Sequence, residues 1–88
     1  PNAFTPNDDG NNDLFKIIAH NIDNPILKIF AINGEEVYST NDLSLGWDGK
    51  KKGNTLPPGQ YYYRLDYDMI YRRNVIANQY FGYVMMVH

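Results

Sequence analysis

Near the start of the chain, Asn7, Asp9, Asn11 and Asp13 recur at every second position around Gly10. Carboxylate and amide oxygens at that spacing are hard ligands, and a glycine permits the sharp bend that wraps them around an ion, so Ca²⁺ is the candidate cofactor. An EF-hand is excluded: with Gly10 set on that loop's glycine, the position needing a bidentate Glu holds Lys16. Asx turns in a solvated loop are the plainer alternative for the same run, since Asn and Asp bond their own backbone two residues on.

Catalytic chemistry finds little material. A nucleophile needs a base and an orienting acid beside it, and the chain offers Ser39, Ser44, His20 and His88 in scattered positions and no Cys. No catalytic residue is assigned, and the chain is expected not to be an enzyme. Tyr61, Tyr62, Tyr63, Tyr67 and Tyr71 could form a sugar-stacking platform, although strand alternation sends about half of them to a core. The run Lys50 to Lys52 reads as a solvated loop, and Met85 and Met86 as fillers of sheet faces.

The elements that must carry these residues are strands. The 88 residues suffice for one domain, and one of this size hides only about 60 to 65% of its unfolded surface, which leaves little room for a deep cleft. Seven Gly, five Pro and eight Tyr suit a turn-rich all-β chain. A net charge of −2 supplies no basic field for nucleic acid or an anionic membrane, and no apolar run is long enough to span a bilayer as a helix.

LFKIIA, Leu14 to Ala19, reads as the first substantial strand. ILKIFAI, Ile26 to Ile32, meets Asn33 and Gly34 before EEVYS resumes, and Asn-Gly predicts a two-residue type I′ hairpin. Its register would set Ile32 opposite Glu35, Phe30 opposite Val37, Ile29 opposite Tyr38 and Lys28 opposite Ser39. Leu56 to Gly59 reads as a type II turn. In QYYYRLDY, Tyr61, Tyr63, Leu65 and Tyr67 share one face and Tyr62, Arg64 and Asp66 the other. Met69 to Ile76 reads as a short strand or irregular segment, and the apolar end, Tyr80 to Val87, as a central strand. The expected fold is an antiparallel immunoglobulin-like β-sandwich of about seven short strands.

The order of these segments resembles the gliding-motility-associated C-terminal domain, the type B sorting domain of the type IX secretion system. The family opens on PNAFTPNGDGxND before a phenylalanine, and residues 1 to 15 here read PNAFTPNDDGNNDLF. LKIFAINGEEVY, Leu27 to Tyr38, is similar to LxIFNRWGExVF; Trp47, Asp48 and Gly49 match WDG; Pro57 to Tyr63 match PxGxYYY; Gly82 to Val87 resemble GYVxLI. The departures are Asp8 for glycine, Ala31, Ile32 and Asn33 in the hairpin, and His88 in place of a closing basic residue.

The resemblance implies a single C-terminal sorting domain over residues 1–88, a fragment of a longer secreted protein whose cargo region precedes it. Recognition would rest on motif positions Trp47, Asp48, Gly49, Phe81, Gly82, Tyr83, Val84 and Val87. The implied partners are the type IX secretion machinery of Bacteroidota and an associated outer-membrane protein. The implied route runs through the periplasm and the outer membrane to the cell surface or the medium, with adhesins among the cargo. The alternative is a glycan-binding or adhesion sandwich of a surface protein.

Overall fold

A computed structural model describes residues 3–6 and 13–87 of the chain. Its seven strands are β1 (Ala3–Phe4), β2 (Asp23–Phe30), β3 (Glu36–Thr40), β4 (Lys50–Lys51), β5 (Asn54–Thr55), β6 (Gly59–Tyr71) and β7 (Asn74–Met86). Five form one sheet in the order β1-β7-β6-β2-β3, and β4 pairs with β5. Every pairing is antiparallel except that of β1 with β7. The all-strand, mostly antiparallel arrangement is consistent with the immunoglobulin-like sandwich the sequence predicts.

Alternation explains which side of the large sheet is dry. Leu27 and Ile29 on β2, Tyr61 and Leu65 on β6, and Val84 and Met86 on β7 all point to one face and are buried. Phe4, Phe15, Val37 and Trp47 complete the buried core. The cover over this face is thin. Phe15 and Trp47 exchange two backbone hydrogen bonds, each 2.9 Å, and bring the 13–22 segment and the approach to β4 together above the sheet.

The 14–19 segment therefore departs from the expected strand: only Phe15 makes a bridge. Its alternation is nonetheless real. Phe15 is buried and Ile17 packs against the core, whereas Leu14 and Ile18 are exposed. An extended segment crossing a sheet face keeps the alternation of a strand but has no neighbour along which to build a ladder. The lysine run likewise differs from a plain loop. Lys50 and Lys51 pair with Thr55 and Asn54 around a turn in which Lys52 and Gly53 both have positive φ.

The Asn33-Gly34 turn is not type I′. Of the two residues only Gly34 has positive φ, +91°. Gly34 N donates to Ala31 O at 2.9 Å and Ala31 N to Glu35 O at 2.8 Å, so a type I turn is followed by a left-handed glycine in a three-residue loop. The Asn33 side chain accepts from Glu35 N at 3.0 Å, which holds Asn33 in this turn. The extra loop residue shifts the register: Lys28 faces Ser39 and Ile29 faces Tyr38 as expected, but Phe30 faces Glu36. The resulting bulge lets Val37 turn into the core while Phe30 turns outward, which a direct Phe30–Val37 pair would forbid.

A two-residue turn with both central φ values positive does occur, at Arg72 (+51°) and Arg73 (+67°). It makes one continuous hairpin of β6 and β7, thirteen residues each, through the segment expected to be short or irregular. The apolar end of the chain is central only at its last residues. Among the described residues, the outer edge of β7 is paired only where Met85 and Met86 meet Ala3 and Phe4.

Trp47, fully buried, packs its ring 5.4 Å from Phe4 and 5.2 Å from Tyr61, and its Nε1 donates to Lys50 O at 3.1 Å. Trp47→Ala is expected to cost about 3–5 kcal/mol, a large part of the roughly 5–15 kcal/mol a domain possesses. Calorimetry should find the thermal transition lost or lowered by tens of degrees; a shift of only a few degrees would contradict the two-layer core.

Burial pushes the hydroxyls of both Tyr61 and Tyr63 above the ordinary value of 10.0, and for Tyr63 the neighbouring Tyr80 adds to the shift. The folded state holds these protons after the unfolded chain releases them. Stability is thus full below about pH 10 and falls as pH rises further. Denaturant midpoints at about pH 8 and about pH 11 should show the drop, and Tyr61→Phe should shrink it.

Candidate recognition surface

Strand β7 divides its motif positions between two faces. Gly82, Val84 and Met86 point to the core side, and Phe81, Tyr83 and Met85 to the opposite side, with Val87 exposed just beyond the strand. Val84 is fully buried. Gly82 lies opposite Tyr63 in the ladder, and a Cβ built on it would overlap the Tyr63 ring and hydroxyl. The tyrosine ring occupies the place a side chain would take. Gly82 is thus a packing glycine, chosen for the close approach of Tyr63.

Trp47, Asp48 and Gly49 divide in the same way. Trp47 is the centre of the core's aromatic cluster. Gly49 is buried with φ +80°, against Met86 and Pro6, so both conformation and space favour glycine there. Asp48 is exposed and its Oδ1 accepts from Lys50 N at 3.0 Å, an Asx turn that leads into β4. Four of the eight motif positions (Trp47, Gly49, Gly82 and Val84) therefore build the fold, and Asp48 shapes a turn.

Of the remaining three, Phe81 and Tyr83 belong to the outer face of the sheet, and Val87 is exposed just past its end. Register aligns Phe30 on β2, Tyr62 on β6 and Tyr83 on β7 in one row, and Lys28, Arg64 and Phe81 in the next. Phe81 is 65% exposed, Tyr83 46% and Tyr62 42%. The Arg64 guanidinium carbon lies 5.7 Å from the Phe30 ring centroid, while its Nε donates to Asp66 Oδ2 at 2.9 Å, which fixes the guanidinium between the rows. Large aromatics in register on a solvent-facing sheet are unusual for a face that merely meets water.

Phe30 matches the phenylalanine of LxIF but is assigned no recognition role by the motifs, and Arg64 lies just beyond them. The signal that could have found them is the alternation of QYYYRLDY, which sets Tyr62 and Arg64 on one side, combined with the bulge that turns Phe30 to the same side. Of the tyrosines weighed as a platform, Tyr61 is buried, Tyr63 and Tyr67 pack against the core, and Tyr62 and Tyr71 are exposed. Of the four residues read as candidate Ca²⁺ ligands, Asn7, Asp9 and Asn11 lie outside the described residues, and Asp13 is half-buried.

An open apolar depression lies on the other side of the sheet, between Ile17, Ile18 and Ile22 and the side chains of Tyr63, Leu65, Tyr67 and Tyr80. Its only titratable groups are tyrosines, which burial raises in the case of Tyr63. Glu35 and Asp42 have carboxyls held below their ordinary values, by Lys51 and by hydrogen bonds from Ser44 respectively, and both lie in surface turns away from this depression. The geometry offers surfaces for contact.

No curated protein and no solved structure matches the chain. The type IX secretion signal domain family matches residues 1–86, nearly the whole length, which agrees with the order of motifs along the chain. The chain belongs to the type IX secretion signal domain family, and its role is that of a C-terminal export signal, recognised by the secretion machinery for release or display at the cell surface.

Proposed function

We infer that the outward side chains of β7 and their neighbours on β6 and β2, above all Phe81, Tyr83 and Tyr62, form the surface on which the secretion machinery docks. The observation that carries this reading is the register of those aromatics on the solvent face, with Arg64 held between them. Val87 extends the patch along β7. Aromatic and Arg side chains of this kind are the usual anchors of protein interfaces. Trp47, Gly49, Gly82 and Val84 serve the same end indirectly, by holding β7 flat against β6.

The docking partner in this reading includes an outer-membrane protein that accompanies the translocation apparatus, and the route passes through the periplasm. Residues 1–88 act as one sorting module for a cargo region that precedes them. In this reading the module serves recognition and not catalysis; its described surfaces bear exposed aromatics and turn-bound carboxylates.

The test is export of a periplasm-targeted reporter fused to the N-terminus of this chain in a host with an intact type IX system. The reporter should reach the surface or the medium; its retention would sink the sorting assignment for this chain. Phe81→Ser with Tyr83→Ser should reduce export by about tenfold or more while leaving the thermal transition nearly in place, since both side chains are exposed. Ile18→Ser, on the other layer, should leave export unchanged. Export that survives the double substitution would move the docking surface elsewhere.

A further inference from the structure

The β6–β7 hairpin outruns the sheet. The last ladder pair between β2 and β6 is Asp23 with Asp68, while β6 and β7 stay paired to Tyr71 and Asn74. Residues 69–76 thus form a two-stranded arm that no other described strand supports. Isolated ribbons of this kind are marginal in water, yet Met69, Ile70, Tyr71, Val75 and Ile76 are all exposed on it.

One face of the arm has an ordered sequence of chemistry. Asp23 and Asp68 stand side by side at its base, with Asn24 Nδ2 donating to Asp68 Oδ2 at 3.1 Å. The cross-strand pair Ile70 and Val75 follows, 64% and 67% exposed, and Asp23, Asn24, Asp68, Ile70 and Val75 together line one shallow notch. Arg72 and Arg73 close the tip, both with positive φ, and the Arg72 guanidinium carbon lies 5.3 Å from the centroid of the exposed Tyr71 ring. Among the described residues, neither arginine and neither of these aspartates takes part in an ion pair.

The spacing makes this face complementary to itself. Ile70 is two residues from Asp68 on one side and two from Arg72 on the other, about 7 Å each way at roughly 3.3 Å per residue. A two-fold axis through the Ile70–Val75 pair therefore sets the arginine tip of one copy over the aspartate pair of the other, twice, with the apolar pairs stacked between. We propose that the arm is a homotypic contact, by which two copies of this chain associate antiparallel through residues 68–77 and Asp23. Such an isologous contact needs one patch with both signs of charge balanced about its centre, and this patch has them. The patch is smaller than the roughly 1,600 Å² of a standard stable interface, so the association is weak and reversible.

Sedimentation of the purified chain from about 10 µM to about 1 mM should show a monomer–dimer equilibrium, with amide chemical-shift changes on dilution confined to the arm. Raising salt from about 0.05 M to about 0.5 M should weaken it several-fold, because the charges are exposed. Arg72→Asp with Arg73→Asp, and separately Asp23→Lys with Asp68→Lys, should each weaken dimerisation about tenfold or more by opposing like charges. Asp is chosen because it tolerates the left-handed turn. An equimolar mixture of the two variants should recover the dimer, since each tip then meets an opposite charge. A chain monomeric at every concentration, or a dimer that either variant preserves, overturns the proposal. Should a charge variant unfold, the salt dependence and dilution shifts of the parent chain decide alone. Arm shifts caused by anionic vesicles with no dimer would assign the arm to a lipid surface and equally overturn it.

Discussion

Everything else in this domain depends on the paired hydrogen bonds between Phe15 and Trp47. The five-stranded sheet has one apolar face, and an apolar face needs a cover to leave water. Among the described residues the cover contains no second full sheet. It is a crossing segment, one backbone bridge and the small β4–β5 hairpin, and the bridge is what holds the first of these to the approach of the last. With Phe15 and Trp47 fixed by their backbones, their rings reach Phe4, Tyr61 and Tyr63 at centroid distances between 5.2 and 6.2 Å. Aromatic pairs of this geometry each contribute about 0.5–1.5 kcal/mol beyond the area they bury. A small domain without disulfides needs that concentration of large side chains.

Much of this was legible in the sequence because it rests on periodicity. The alternation of QYYYRLDY, with Tyr61, Tyr63, Leu65 and Tyr67 on one face, is a pattern of side-chain direction, which one chain encodes by itself. Pairing is a different matter, since it depends on what lies alongside. Leu14 to Ala19 has the pattern of a strand but crosses over the sheet, and Tyr80 to Val87 has the composition of a central strand but, among the described residues, gains an outer neighbour only from Met85 to Val87. No local pattern distinguishes these cases.

The turns make the same point from the opposite direction. Asn33-Gly34 carries the strongest sequence signal for a type I′ hairpin, yet a side-chain bond from Asn33 to the backbone of Glu35 and the inward pull of Val37 favour a longer loop with a bulge. Arg72-Arg73 carries no such signal and adopts positive φ at both residues. Non-glycine residues in that conformation are costly, so the thirteen-residue ladder on each side must impose it. Where a long ladder sets the register, the turn residues follow, and a reading of the turn alone misleads.

The site was legible as a set of positions and not as a surface. Motif resemblance selects Trp47, Gly49, Gly82 and Val84 together with Phe81, Tyr83 and Val87, because a recurring pattern records everything a family requires, fold and contact alike. Strand alternation separates the two. The inward set fixes β7 to β6, through Tyr63 over Gly82 and Val84 beside Tyr61, and so sets the spacing of the outward set to that of a pleated sheet. An exported signal needs a contact surface that survives passage as a fixed arrangement, and a row of aromatics carried by paired strands loses less conformational freedom on binding than the same side chains on a loop. In the proposed docking surface, contacts on the back of β7 couple recognition to folding: the row Phe30, Tyr62 and Tyr83 exists only once β2, β6 and β7 are in register.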